Sequence, residues 1–207
     1  SDVFPQLRVL ELNNNALPPA LLVDALAAAD RPGRLRQLTL ALADLPAADA
    51  RHLFALPALR TLDHLDLEDN KALGPDGVTA LAESGLVKRL EVLKLAGTLP
   101  GVPGVRALAG TGGLAGVRWL DLSANRLGPV AVRALAESRT ARGLRVLNLA
   151  GNPEGPKWVD AVAGSRHLAG LVELDLSDCG IGDAGAVALA ESPHLAELVR
   201  LDLRDRG

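Results

Sequence analysis

The chain has 207 residues, a net charge of −3, 23% charged residues and 48% hydrophobic ones, which is enough apolar side chain for a buried core and too much for a disordered segment. No apolar run approaches the roughly 20 residues of a membrane-spanning helix. A mildly acidic chain with two Trp, two Phe and no Tyr lacks the basic footprint and stacking aromatics expected of a nucleic-acid binder.

Leu (43) and Ala (34) dominate, a bias that belongs to a long coil or to an internal repeat. One cysteine cannot form an internal disulfide, so a reducing, cytoplasmic compartment is the expectation. No segment near Ser1 has the make-up of a signal peptide. Arg outnumbers Lys by 18 to 4, a codon association with GC-rich bacterial genomes.

In chain order, residues 7–12 open with Leu7, Leu10 and Leu12 in the form LxxLxL. The form returns at 35–40, 62–67, 90–95, 117–122, 144–149, 171–176 and 198–203. The middle leucines are Leu10, Leu38, Leu65, Leu93, Leu120, Leu147, Leu174 and Leu201, 27 or 28 residues apart. Their alternation with polar residues predicts eight half-buried strands. Between them lie stretches with helical apolar spacing, predicted at 19–29, 75–84, 130–138 and 183–192. Pro19 and Pro75 suit a first helical turn, where a missing N–H costs nothing. Repeats two, four and six depart from the pattern, with Pro100, Pro103, Gly110, Gly112, Gly113, Pro153, Gly155 and Pro156 among their extra breakers. Shorter or irregular helices are expected there.

A strand, a turn and a helix in 27–28 residues cannot bury their own apolar faces, so neighbouring units must stack. Helices are about 10 Å wide and paired strands about 4.8 Å apart. The expected fold is therefore a curved α/β solenoid, a horseshoe with eight parallel strands on its concave face and helices on its convex face. It would form a single domain over residues 1–207, about 7.5 repeats. The pattern begins just before strand one and stops just after strand eight with no polar cap, which raises the expectation of a fragment of a longer protein. Arg200, Asp202, Arg204, Asp205 and Arg206 would blunt the open edge, and self-association through the open ends is the alternative.

The unit at 171–198, LVELDLSDCGIGDAGAVALAESPHLAEL, resembles the leucine-rich-repeat family, and within it the long-repeat class similar to ribonuclease inhibitor. The resemblance spans essentially the whole chain. It implies a structural ladder three residues beyond each strand's last leucine, at Asn15, Asn70, Thr98, Asn125, Asn152, Cys179 and Arg206, with Ala43 breaking the series. An amide there can satisfy backbone groups of its own and the adjacent turn. Cys179 reads as a buried turn residue, and the turn at Ala43 is expected to differ locally.

Catalytic patterns are absent from the sequence. His52, His64, His167 and His194 make no metal or catalytic set, with His52 and His167 expected on the helical side. The stretch 110–115 formally fits GxGxxG/A, yet a strand follows it, whereas a dinucleotide loop requires a strand before it. There is no Walker-type GKT/GKS, HExxH, GxSxG or CxxC. No cofactor and no metal are expected, and the chain reads as a non-enzyme.

Strand alternation turns three rows of side chains toward the concavity. The first runs Val9, Gln37, His64, Val92, Trp119, Val146, Glu173, Arg200. The second runs Glu11, Thr39, Asp66, Lys94, Asp121, Asn148, Asp175, Asp202. The third runs Asn13, Ala41, Glu68, Ala96, Ser123, Ala150, Ser177, Arg204. Val92, Trp119 and Val146, flanked by Ala96 and Ala150, form an apolar patch with an aromatic centre and an acidic border of Asp66, Glu68, Asp121, Glu173 and Asp175, the anatomy of an interaction hot spot. Lys94, Arg200 and Arg204 complete the expected partner-binding set. The bland alternative is that the second-row Asp residues merely solvate the sheet and that Val reflects strand propensity.

The sequence thus points to a non-catalytic scaffold binding a protein or peptide on its concave sheet. Two alternatives stand beside it: a regulator of small GTPases, a role some members of the same repeat class have, and the recognition part of a larger enzyme or signalling protein.

Overall fold

Each repeat contributes one three-residue strand to a single parallel sheet in the computed structural model, which describes residues 6–15, 18–28, 34–110 and 113–205. The strands are β1 (Val9–Glu11), β2 (Gln37–Thr39), β3 (His64–Asp66), β4 (Val92–Lys94), β5 (Trp119–Asp121), β6 (Val146–Asn148), β7 (Glu173–Asp175) and β8 (Arg200–Asp202), neighbours in sequence order. The middle leucines are direct Cα partners from Leu10 to Leu201. The strands are shorter than the six-residue patterns that announce them. Parallel hydrogen bonds nevertheless continue past them, as from Leu67 N–H to Lys94 O (3.0 Å) and from Asp69 N–H to Ala96 O (2.8 Å).

Behind the sheet run α1 (Pro19–Ala27), α2 (Ala47–Phe54), α3 (Gly74–Glu83), α4 (Gly101–Ala109), α5 (Pro129–Ala136), α6 (Val159–Ala163) and α7 (Gly182–Ala190). The architecture is the α/β solenoid expected from stacking. One apolar cluster runs through it from Leu22 to Leu195, holding the inward leucines Leu38, Leu65, Leu93, Leu120 and Leu147 with none of their surface exposed. The helices contribute small Ala and Gly. At Gly104, an added Cβ would stand 3.1 Å from Val78 on α3, so α4 sits close because no side chain intervenes.

Several expectations need correction. Only repeat six has a short helix: α6 has five residues, preceded by a 3₁₀ turn at Gly155–Lys157. Repeat four's α4 has nine, as many as α1 and α7, because Pro103 falls in its first turn, where no N–H is needed. Trp158, which the sequence did not single out, fills the space beside the shortened α6. It is 1% exposed, and its indole N–H donates to Pro153 O at 3.1 Å.

The ladder exists, with gaps. Asn152 is fully buried: its Oδ1 accepts from Leu127 N–H (2.8 Å) and Asn125 N–H (3.2 Å), and its Nδ2 donates to Leu122 O and Leu149 O. Asn125 bridges to Leu99 N–H and Leu95 O, and Asn70 to Leu45 N–H and Leu40 O. Each amide reaches back one repeat. Asn15, in the first described repeat, has no described strand before it and is exposed. Thr98 is buried, but its short hydroxyl donates only to Leu95 O of its own repeat. Cys179 retains one crossing bond, from Sγ to Leu149 O at 3.2 Å. Arg206 lies outside the described residues, as do Thr111 and Gly112 of the glycine-rich stretch and Ala29 at the end of the first predicted helix.

The turn at Ala43 follows the same path as others. Leu42 and Asp44 both take positive φ, as do Ala124 and Arg126 in repeat five. The missing amide leaves only a small void of about 10 Å³ between Ala43 and Leu12.

A second ladder joins the helix ends. Ser138 Oγ donates to Ala109 O at 2.5 Å, Ser165 Oγ to Ala136 O, and Ser192 Oγ to Ala163 O at 2.5 Å. Each hydroxyl also accepts the N–H two residues on, at Thr140, His167 and His194. Together the two ladders clamp repeats five, six and seven to their predecessors on both rims, which holds those strand faces in register.

Candidate binding surface

The three predicted rows lie side by side. Val92, Trp119 and Val146 are successive Cα partners across β4, β5 and β6. Trp119 is 44% exposed, an indole on an open sheet face, while Val92, Val146, Ala96 and Ala150 are half-buried around it. The patch anticipated from alternation is therefore assembled.

The acidic border is less free than its sequence suggests. Asp121 is 8% exposed: Oδ1 accepts from Ser123 N–H and Oγ, and Oδ2 from Asn148 Nδ2 at 2.9 Å. Asp66 Oδ1 accepts from Glu68 N–H, and its Oδ2 meets Lys94 Nζ at 3.2 Å. Asp175 Oδ1 accepts from Ser177 N–H (2.9 Å) and Oγ (2.7 Å), and Asp202 Oδ1 from Arg204 N–H. A side-chain oxygen taking the N–H two residues on is an Asx turn. The second-row aspartates thus end their strands, a turn-closing role distinct from merely solvating the sheet. Thr39 has no oxygen placed to do this, and Ala41 N–H instead donates to Asn13 Oδ1; the buried Thr39 hydroxyl is without a partner among the described residues.

The cations are also engaged. Lys94 pairs with Asp66, Arg200 with Glu173 at 3.4 Å, and Arg204 with Asp202. Burial works against the Lys94 charge, but Asp66 holds its pKa above the ordinary lysine value. Burial, then the neighbouring Asp66, pushes the Glu68 carboxyl up. Burial and Lys94 push His64 down. The Arg204 guanidinium holds Asp202 at about 2.

Chemistry is poorly served elsewhere. Burial drives the Cys179 thiol up to about 11, so little thiolate exists at neutral pH. His167, expected on the helical side, is buried in the turn leading into β7, where its Nδ1 accepts from Arg142 Nε at 3.2 Å. Among the described residues no group of three or more His, Cys, Asp or Glu could hold a metal ion, and no helix is long and apolar enough to cross a membrane.

A cleft of about 110 Å³ opens beside Trp119 toward Arg200. Larger hollows, about 350 and 500 Å³, lie on the rim where strands begin, beside Arg60 and Lys88 and beside Arg106 and Arg139. Neither is lined by an exposed large hydrophobic side chain, so the patch at Trp119 is the better candidate despite its smaller cleft.

One strand and one helix per unit, stacked in sequence order and clamped by asparagine and serine ladders, define a repeat solenoid. A family model described as leucine-rich repeat matches residues 58–82 and 170–190, the segments that hold β3 with α3 and β7 with α7. The chain thus carries leucine-rich repeats, a kind of repeat that generally serves as a protein-binding scaffold. A search of curated proteins finds no match.

Proposed function

We propose that this protein is a non-catalytic recognition scaffold that binds a positively charged segment of a partner protein on its concave sheet, with Trp119 as the anchor. The reading places the chain in the long-repeat class similar to ribonuclease inhibitor, as one domain. The observation that carries it is the 44% exposed indole of Trp119 between Val92 and Val146. An indole held in water on a rigid sheet is a cost to a solitary protein and an asset at an interface, where such aromatics dominate affinity.

The charge of the face selects the partner. Its rows hold seven carboxylates (Glu11, Asp66, Glu68, Asp121, Glu173, Asp175, Asp202) against three cations (Lys94, Arg200, Arg204). Each cation already has a carboxylate. A basic segment is steered toward such a face, and an acidic one is repelled. Arg36, Arg60, Lys88, Arg89, Arg118 and Arg145, by contrast, stand exposed on the rim where strands begin, with Asp63 and Glu91 among them, so that rim is more basic than the concave face.

Co-purification of one identified partner with the wild type and with Trp119→Ala tests the reading. Loss of roughly thirtyfold in affinity, about 2 kcal/mol, is expected for removing such an anchor. Unchanged affinity in a variant of wild-type stability refutes it.

A further inference from the structure

The cleft beside Trp119 defines what that partner should present. At about 110 Å³ it is well below the roughly 300–1,000 Å³ of small-molecule and cofactor sites and suits a single side chain. Its apolar wall is the Trp119 indole with Val146 above the buried Leu147 and Leu174, and its polar lining includes Glu173, Asp175, Asp202 and Arg200. Three of these groups satisfy each other or a neighbour. Arg200 faces Glu173 at 3.4 Å, and Asp202 is forked by Arg204.

Asp175 differs. One oxygen is committed to Ser177, and the other has no hydrogen bond among the described residues; no cation among them pairs with it. An exposed aromatic face, an aliphatic shelf and a carboxylate that feels the Arg204 charge but keeps one oxygen without a hydrogen bond among the described residues therefore border one small hollow. We infer that the cleft between Trp119 and Arg200 receives one arginine side chain of the partner protein.

The geometry of the guanidinium makes it the matching group. Its methylene stem can lie along Val146, its plane on the indole and its fork on Asp175, and it is more weakly hydrated than an ammonium. Glu173 is 44% exposed in its pair with Arg200, and Arg200 is 65% exposed. Such a pair contributes little and opens readily, so Glu173 can turn to a second N–H of the incoming group. The inference rests on the concave-face reading and adds to it a specific residue type at a specific place.

The test is a titration of the isotope-labelled full chain, followed by NMR, with four capped peptides that differ at one central residue: arginine, lysine, citrulline or phenylalanine. The arginine peptide should give saturable shifts of the Trp119 indole and of the amides of Val146, Glu173 and Asp175. Citrulline, isosteric but neutral, should bind at least tenfold more weakly, and lysine between the two. Asp175→Asn keeps an oxygen for Ser177 and so preserves the turn, which an unchanged melting curve will verify; it should also cost the arginine peptide at least tenfold. Equal binding of arginine and citrulline peptides, or insensitivity to Asp175→Asn, overturns the inference. If phenylalanine shifts these residues saturably and arginine does not, the inference fails while the concave-face reading stands. If the peptides perturb only the convex helices or the rims, both fail.

Discussion

Asp121 accepts two hydrogen bonds from Ser123, the backbone N–H at 2.8 Å and the hydroxyl at 2.7 Å, and so closes β5 before offering its charge to the concavity. Asp175 does the same with Ser177. The second row is thus part of the turn machinery. Asp121→Ala leaves the half-buried Ser123 N–H and the Asn148 amide without their acceptor, a loss of about 1–3 kcal/mol. Urea unfolding should show that loss, whereas Ser123→Ala, which removes one of two donors to a satisfied acceptor, should cost less.

The asparagine ladder should grade with burial. Asn152→Ala orphans buried backbone groups at Leu122, Leu127 and Leu149, and each orphan costs about 1–3 kcal/mol. A loss of about 3 kcal/mol or more is expected. Asn15→Ala, at an exposed position, should stay within about 0.5 kcal/mol of wild type. Paired denaturant midpoints decide the matter, and equal losses would contradict the ladder as described.

One turn position is left-handed in each of the first seven repeats: Asn14, Leu42, Asp69, Gly97, Ala124, Gly151 and Asp178 have φ between 50° and 67°. An ordinary residue there costs about 1–2 kcal/mol, while glycine loses about 0.4–1 kcal/mol through unfolded-chain entropy. Ala124→Gly should therefore stabilise the protein slightly, by up to about 1 kcal/mol. The converse change at Gly97 should destabilise it, because a Cβ would overlap the Asp69 carboxylate. Melting temperatures should move in opposite directions.

Burial, with Arg142, Arg166 and Arg139 nearby, lowers the pKa of His167 below its ordinary 6.5. The unfolded chain then takes up a proton near pH 6.5 while the folded one still refuses it, so stability falls as pH drops below about 6.5. Glu68 has the opposite sign: its raised pKa means that its contribution falls as pH rises above 4.5, the ordinary value. His167→Gln should flatten the melting-temperature profile between pH 5 and 7, and Glu68→Gln should raise stability slightly at neutral pH. A profile unchanged by His167→Gln would contradict the buried neutral histidine.

The leucine spacing carried the fold because parallel pairing must repeat in register: Leu10 to Leu201 are Cα partners at the intervals the sequence displays. Alternation likewise placed Trp119 beside Val92 and Val146. The serine ladder was visible as a period, with Ser138, Ser165 and Ser192 each 27 residues apart. A hydroxyl that ends a helix nevertheless looks the same whether it caps locally or crosses to Ala109, Ala136 or Ala163. Asn15 and Asn152 likewise share a position in the pattern, and only the presence of a preceding described repeat separates an exposed amide from a buried clamp. Trp158 could not be read as core, because its burial follows from the shortening of α6. The state of the acidic border was illegible for a similar reason, since charge is written in the sequence and hydrogen-bond commitment is not.

Amide hydrogen exchange with and without an identified bound partner tests the central claim most directly. The account predicts that added protection centres on β4 to β7 around Trp119, and that Trp119→Ala abolishes it at partner concentrations that saturate the wild type. Protection confined to the convex helices or the arginine-bearing rim, unaffected by Trp119→Ala, would contradict it.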